Sequence, residues 1–147
     1  MKIFMISAIF SGFALTACSQ DIASKDVPSI VQNAVKAKYP NAQTIDWEKQ
    51  NENYAAEFKT DSAEYEVLVN ATGNVLMVKQ DIEPAELPAA ISNAIAADFK
   101  GFKIDDAERV EKDGTVFYQV EIEKFLSEKQ LVFSADGTKT DAHSYWD

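Results

Sequence analysis

Apolar and polar residues alternate with period two along Tyr118, Val120 and Ile122, and again along Leu131 and Phe133, until Asp136-Gly137 interrupts the run. An earlier stretch has the same pattern: Tyr54, Ala56 and Phe58, then Tyr65, Val67 and Val69, then Gly73. Glu64 follows Tyr54 at the spacing at which Glu128 follows Tyr118. Strict alternation ending in a glycine turn predicts, in each copy, a β-hairpin that feeds a third strand.

Ahead of each hairpin the period changes to that of a helix. Val31, Ala34, Val35 and Tyr39 form one stripe, and Ile91, Ala94, Ile95 and Phe99 repeat it sixty positions later. Val27-Pro28 and Leu87-Pro88 open the two helices, since proline at the first helical position costs no hydrogen bond. Asp26 adds an anion where the helix dipole favours one. Pro40-Asn41 ends the first helix and Gly101 the second. Strands are predicted at 43–49, 54–58, 65–69 and 75–79 in the first copy, and at 103–111, 115–123 and 128–134 in the second. The polar stretch 138–146 is the weakest candidate for a further strand. Asp113-Gly114, Asp136-Gly137 and Thr72-Gly73-Asn74 supply the positive φ that tight hairpins need.

One helix and four strands bury little surface alone, whereas two such units sharing a sheet can build a core. The expected fold class is therefore α+β: two tandem helix-plus-four-strand (α-β4) repeats, at 26–84 and 85–147, form one antiparallel sheet with both helices on one face. The 147 residues, 46% hydrophobic and 11% aromatic, suffice for that core. Tyr54, Phe58, Tyr65, Phe99 and Tyr118 are expected to face the helices, where burial of each contributes a few kcal/mol, at about 25 cal/mol per Å².

Residues 1–17 have signal-peptide proportions: Lys2, then an apolar run over 3–15 that is too short to span a bilayer, which needs roughly 20 residues. The run ends in Leu15-Thr16-Ala17-Cys18, which is similar to a bacterial lipobox, so Cys18 is the expected lipidation site and 18–25 a polar tether. The expected address is the bacterial cell envelope, lipid-anchored on the periplasmic or cell-surface side. Cys18 is the only cysteine, so no internal disulfide or thiolate metal site is expected.

Charge and motif content narrow the function further. A net charge of −10 opposes nucleic acid and a peripheral site on anionic lipid. His143 is the only histidine and lies in the polar terminal stretch, a poor basis for a catalytic triad. Asp105, Asp106 and Glu108 lack the glycine and spacing of a calcium loop. Gly101, Gly114 and Gly137 are isolated stops or turns rather than a phosphate-binding loop. No catalytic residue, metal or cofactor is expected.

The sheet face away from the helices is expected to carry an apolar patch of Leu68, Leu76, Val78, Phe117 and Val132, rimmed by Glu57, Glu66 and Glu121. A solvated sheet face is ordinarily polar, and an apolar centre with a polar rim is the anatomy of an interface. The expected partner is a protein of the envelope. A small-ligand or cation sensor working between the two halves is the alternative, and a hydrolase with paired carboxylates comes third.

Val27-Pro28, Tyr39-Pro40, Trp47-Glu48, Tyr54, Ala56-Glu57-Phe58, Glu64-Tyr65-Glu66-Val67 and Gly73 together resemble the PepSY-like, β-lactamase-inhibitor-like family. The resemblance continues through Leu87-Pro88, Tyr118, Glu121 and Asp136-Gly137. It implies exported bacterial proteins, often lipoproteins, with tandem repeats in one sheet, and a non-enzymatic, protein-binding or peptidase-inhibitory role. The second copy departs from the pattern, with Phe99-Lys100 in place of Tyr39-Pro40 and Ala107 in place of Trp47.

Overall fold

The computed structural model describes residues 19–146. Its elements run β1 (Ser19–Ile22), α1 (Ser29–Lys38), β2 (Ile45–Gln50), β3 (Asn53–Lys59), β4 (Glu64–Asn70), β5 (Val75–Asp81), α2 (Ala89–Asp98), β6 (Lys103–Lys112), β7 (Thr115–Lys124) and β8 (Ser127–Ser134). The strands form one eight-stranded antiparallel sheet in simple sequence order, β1 to β8. A single 3-10 turn precedes each helix, at Ser24–Asp26 and Pro84–Glu86.

Val27, Val31 and Val35 of the first helical unit pack on Trp47, Tyr54, Ala56, Phe58, Val67, Val69 and Val78. Leu87, Ile91 and Ile95 of the second pack on Ala107, Val120, Ile122, Leu131 and Phe133. Register shows that these two cores lie on the same side of the sheet. Val78 pairs with Glu111, and alternation places Arg109 and Ala107 on the side of Glu111. The fold class is thus α+β with both helices on one face, as the periodicity predicts.

The elements repeat with a different phase from the expected one. The recurring unit is strand, 3-10 turn, helix and three strands, so β1 through β4 correspond to β5 through β8. The repeat divides between β4 and β5 rather than at 84. Residues 19–22, expected to be tether, instead pair as β1 with β2, Ile22 opposite Trp47. Stretch 138–146 adds no eighth strand of its own; within it only Lys139 forms a bridge, to Phe133. The eighth strand is supplied by β1, because each helix needs a strand leading into it as well as three after it.

Two glycines clamp the repeats in the same way. Gly73 has φ +85, and a Cβ there would meet Ile30 Cγ1 at 2.9 Å. Gly137 has φ +85, and its Cβ would meet the Ala90 carbonyl oxygen at 2.6 Å. In each copy the turn closing the third strand lies directly against the first turn of the helix, and only a residue without a side chain fits.

Candidate functional site on the uncovered sheet face

Strand alternation sends every second side chain away from the helices. Pairing aligns these residues in rows across the sheet: Ala55, Leu68, Met77 and Lys112; then Glu57, Glu66, Lys79, Val110 and Phe117; then Asp81, Glu108, Gln119 and Val132. A third apolar cluster forms here, separate from the two cores. Val110, Phe117 and Val132 are buried within it, with Met77 and Tyr145 packed against them.

Six of the eight predicted face residues lie on this side: Leu68, Phe117, Val132, Glu57, Glu66 and Glu121. Val78 does not, and Leu76 sits at an irregularity of its strand. A β-bulge shifts the register between Leu68 and Val69, so Leu68 pairs with Met77, Val69 pairs with Val75, and Leu76 is the extra residue. The slip of one residue turns Val78 into the helix-side core, where it is buried. Met77 and Lys79 take the places expected for Leu76 and Val78.

Lys79 is the centre of the face. Its Nζ lies 3.0 Å from Glu66 Oε2 and 3.4 Å from Glu108 Oε1, and all three side chains are largely buried. Gln50 Nε2 donates to Glu66 Oε1 at 3.3 Å, and Gln119 Nε2 donates to Glu108 Oε2 at 2.8 Å. Every buried carboxylate oxygen therefore has a partner, as the cost of desolvating a charge requires. Burial raises the affinity of Glu66 and of Glu108 for a proton, and the Lys79 charge opposes that rise without cancelling it. Burial alone would weaken Lys79 as a base, yet two facing glutamates outweigh it and leave its ammonium held above the ordinary lysine value.

What shields this group is the stretch that failed to become a strand. Residues 142–146 lie across the face. The Trp146 backbone N–H donates to Gln119 Oε1 at 2.9 Å, while its carbonyl accepts from Gln119 Nε2 at 3.0 Å and from Lys79 Nζ at 3.1 Å. Lys79 Nζ also sits 5.2 Å from the centre of the Trp146 ring, a cation–π distance. His143 stacks on Phe117 with ring centres 4.2 Å apart and planes 2° from parallel. Its role is thus to cover Phe117. A shallow groove remains between this strap and the sheet, lined by Gln50, Leu68, Met77, Lys112 and Phe117.

The rim is acidic. Glu57 is exposed and is pushed above the usual carboxylate range by partial burial and by Glu48. Asp81 is raised likewise, by partial burial and by Asp106 and Glu64. Farther along, Asp105, Glu121 and Glu128 each bring a carboxylate oxygen within 4.8 Å of the others. A hydrogen bond with Glu128, with some desolvation, raises Glu121 above the ordinary glutamate value. Lys79, Glu108, Met77, Val110, Tyr145 and Trp146 were not among the predicted site residues. Only the bulge puts the first and third of them on this face, and no local periodicity marks it.

An open antiparallel sheet sheathed by helices on one side, with a strap-covered apolar cluster and an acidic rim on the other, defines a small α+β module. The chain belongs to the family described as "Putative beta-lactamase-inhibitor-like, PepSY-like", whose profile matches it twice, over residues 14–77 and 63–139. Among solved structures it is similar to a BLIP-like protein from Bacteroides fragilis, at 26% identity and a TM-score of 0.68, covering 81% of this chain and 92% of that one. It is similar also to a protein from Bacteroides eggerthii described as a "putative periplasmic" protein, at 25% identity and a TM-score of 0.72, covering 77% and 85% of the two chains. Comparison with curated proteins finds no significant match. Among the described residues no helix is long and apolar enough to cross a membrane. Cys18 and the signal segment lie outside the described residues.

Proposed function

We propose that the protein is a non-enzymatic module of the bacterial envelope, anchored through a lipid on Cys18, that binds another envelope protein with the uncovered face of its sheet and inhibits it where that partner is an enzyme. The carrying observation is the groove beside the terminal strap, where Leu68 and Met77 lie on the sheet face that no helix covers. Family membership and the BLIP-like neighbour support the same reading. Leu68 and Met77, half-buried beside the strap, are the accessible part of the patch, and Glu57 and Asp81 furnish a rim suited to a partner with basic side chains.

The binding reading is tested by capture from envelope extract with residues 19–147 and with a Leu68→Asp, Met77→Asp variant. Loss of a captured protein in the variant, with an unchanged melting temperature, supports it; equal capture overturns it. The anchor is tested separately by metabolic labelling with an alkyne fatty acid. Cys18→Ser removes the label if Cys18 carries the lipid, and a label retained in that variant refutes the assignment.

A further inference from the structure

The two copies differ most at one turn. In the first copy β3 and β4 are joined through Thr60-Asp61-Ser62-Ala63, a polar loop held by the Thr60 hydroxyl and by the Thr60 N–H to Ala63 carbonyl bond at 2.9 Å. In the second copy the corresponding residues joining β7 and β8 are Lys124-Phe125-Leu126-Ser127. Phe125 and Leu126 stand where Asp61 and Ser62 stand in the first. They are fully exposed, at 101% and 102% of their reference surfaces. Phe125 also has φ 57, in the left-handed region that a bulky side chain seldom adopts. The first copy closes its hairpin with a longer, four-residue loop carrying Asp and Ser, so the repeat itself does not call for apolar residues here. Two large apolar side chains held in water at a strained turn need a reason other than folding.

The surroundings say what would cover them. On the helix side of the tip, Lys124 Nζ lies 5.8 Å and Lys129 Nζ 5.9 Å from the centre of the Phe102 ring. Lys124 Nζ also donates to the Lys100 backbone carbonyl at 3.1 Å, which fixes the Lys124 side chain against the end of the second helical unit. Asp98, the last residue of α2, is the neighbouring acid in sequence on that side. Glu123 and Glu128 pair with one another and project from the opposite face, since Ile122 and Lys129 share the helix side. A chain of net charge −10 thus places two lysine ammonium groups on the helix side of an exposed apolar tip. Phe125 and Leu126 are too small to form a stable protein interface, which buries about 1,200 Å² or more in total. A bilayer accepts so small a wedge, with phenylalanine and leucine among the acyl chains and lysines snorkelling to the headgroups.

We propose that the β7–β8 hairpin tip is a membrane-insertion element, in which Phe125 and Leu126 enter a bilayer and Lys124 and Lys129 meet anionic phosphate headgroups. The global charge opposes such contact and Glu123 lies beside Phe125, but Lys124 and Lys129 share the helix side of the tip, and screening confines the field to about 10 Å at moderate salt. The tip lies at the end of the sheet opposite the start of β1, and on the opposite edge strand. Contact through the helix side would leave the other sheet face turned toward the aqueous phase. The inference does not depend on the proposed partner-binding role of that face, and it fails or stands separately.

Every described element lies within 19–146, so residues 19–147 retain the whole fold for the test. Co-sedimentation is measured with vesicles of phosphatidylglycerol mixed with phosphatidylcholine and with phosphatidylcholine alone. Binding to the anionic vesicles that weakens with added salt is expected, falling roughly tenfold or more in a Phe125→Asp, Leu126→Ser variant that restores the residues of the first copy. Lys124→Gln with Lys129→Gln is expected to weaken binding to anionic vesicles specifically. In a Phe125→Trp variant the tryptophan emission shifts to the blue on binding. Unchanged melting temperatures exclude unfolding as the cause. Absence of vesicle binding, equal binding by the Asp-Ser variant, or a Phe125→Trp emission indifferent to vesicles would overturn the proposal.

Discussion

The Gln119 side chain bonds the Trp146 backbone in both directions, accepting from its N–H at 2.9 Å and donating to its carbonyl at 3.0 Å. An amide side chain thereby does for one residue what a neighbouring strand does for many. It is the device by which a segment too polar to join the sheet still lies across it, protecting Lys79, Glu66 and Glu108 from water.

Replacing Gln119 with Leu should release the strap. Glu108 and the Trp146 backbone would each lose a partner, at a cost of about 1–3 kcal/mol. Hydrogen exchange at the Trp146 amide should accelerate, and tryptophan emission should shift to the red while Trp47 stays in the core. An unchanged exchange rate would show that the Lys79 bond to the Trp146 carbonyl and the aromatic contacts hold the strap without Gln119.

Removing the charge of Lys79 should be costlier. Lys79→Met leaves Glu66 and Glu108 buried beside each other without an ammonium, a loss of about 3–5 kcal/mol at neutral pH. The loss should shrink in acid as the carboxylates take up protons. Denaturant titrations at two pH values check both statements, and an equal loss at each pH would contradict the pairing.

Stability should peak in mild acid. Glu66 and Glu108 bind protons more tightly folded than unfolded, where the ordinary glutamate value is 4.5. The folded state therefore holds the extra protons, and stability falls as pH rises from 4.5 through the raised values. Lys79 is also raised, so its contribution is complete below 10.5 and lost as pH climbs beyond its folded value. Melting temperature measured from mild acid to alkali should fall in two stages, and Glu108→Gln should flatten the first.

Gly137→Ala should destabilise more than Gly114→Ala. Both positions have positive φ, an expense of about 1–2 kcal/mol for a residue with a Cβ. At Gly114 nothing lies within 4 Å of the added atom, whereas at Gly137 it collides with the Ala90 carbonyl. Overpacking adds about 1–3 kcal/mol there. Equal melting temperatures would mean that the β8 turn and α2 separate freely.

The repeat, the two helices and the strands facing them were legible from residues such as Val31, Ile91, Tyr54 and Val120, because periods of 3.6 and two are local properties of a chain packing on one side. Tyr54 carried the family resemblance as well, together with Tyr39-Pro40, Trp47-Glu48 and Tyr118. Three features depended on contacts between distant parts of the chain. The bulge at Leu68 and Val69 exchanged Val78 for Met77 and Lys79 on the uncovered face, and a register slip leaves no mark in either strand's composition. Ser19–Ile22 reads as tether but becomes an edge strand because β2 offers it unpaired backbone groups. Residues 142–146 have no apolar period, and only the assembled sheet brings Gln119, Lys79 and Phe117 together to hold them. Sequence alone determined which segments fold and which side of each is greasy; the tertiary structure decided register and cover, since those rest on pairing energies between residues as far apart as Lys79 and Trp146.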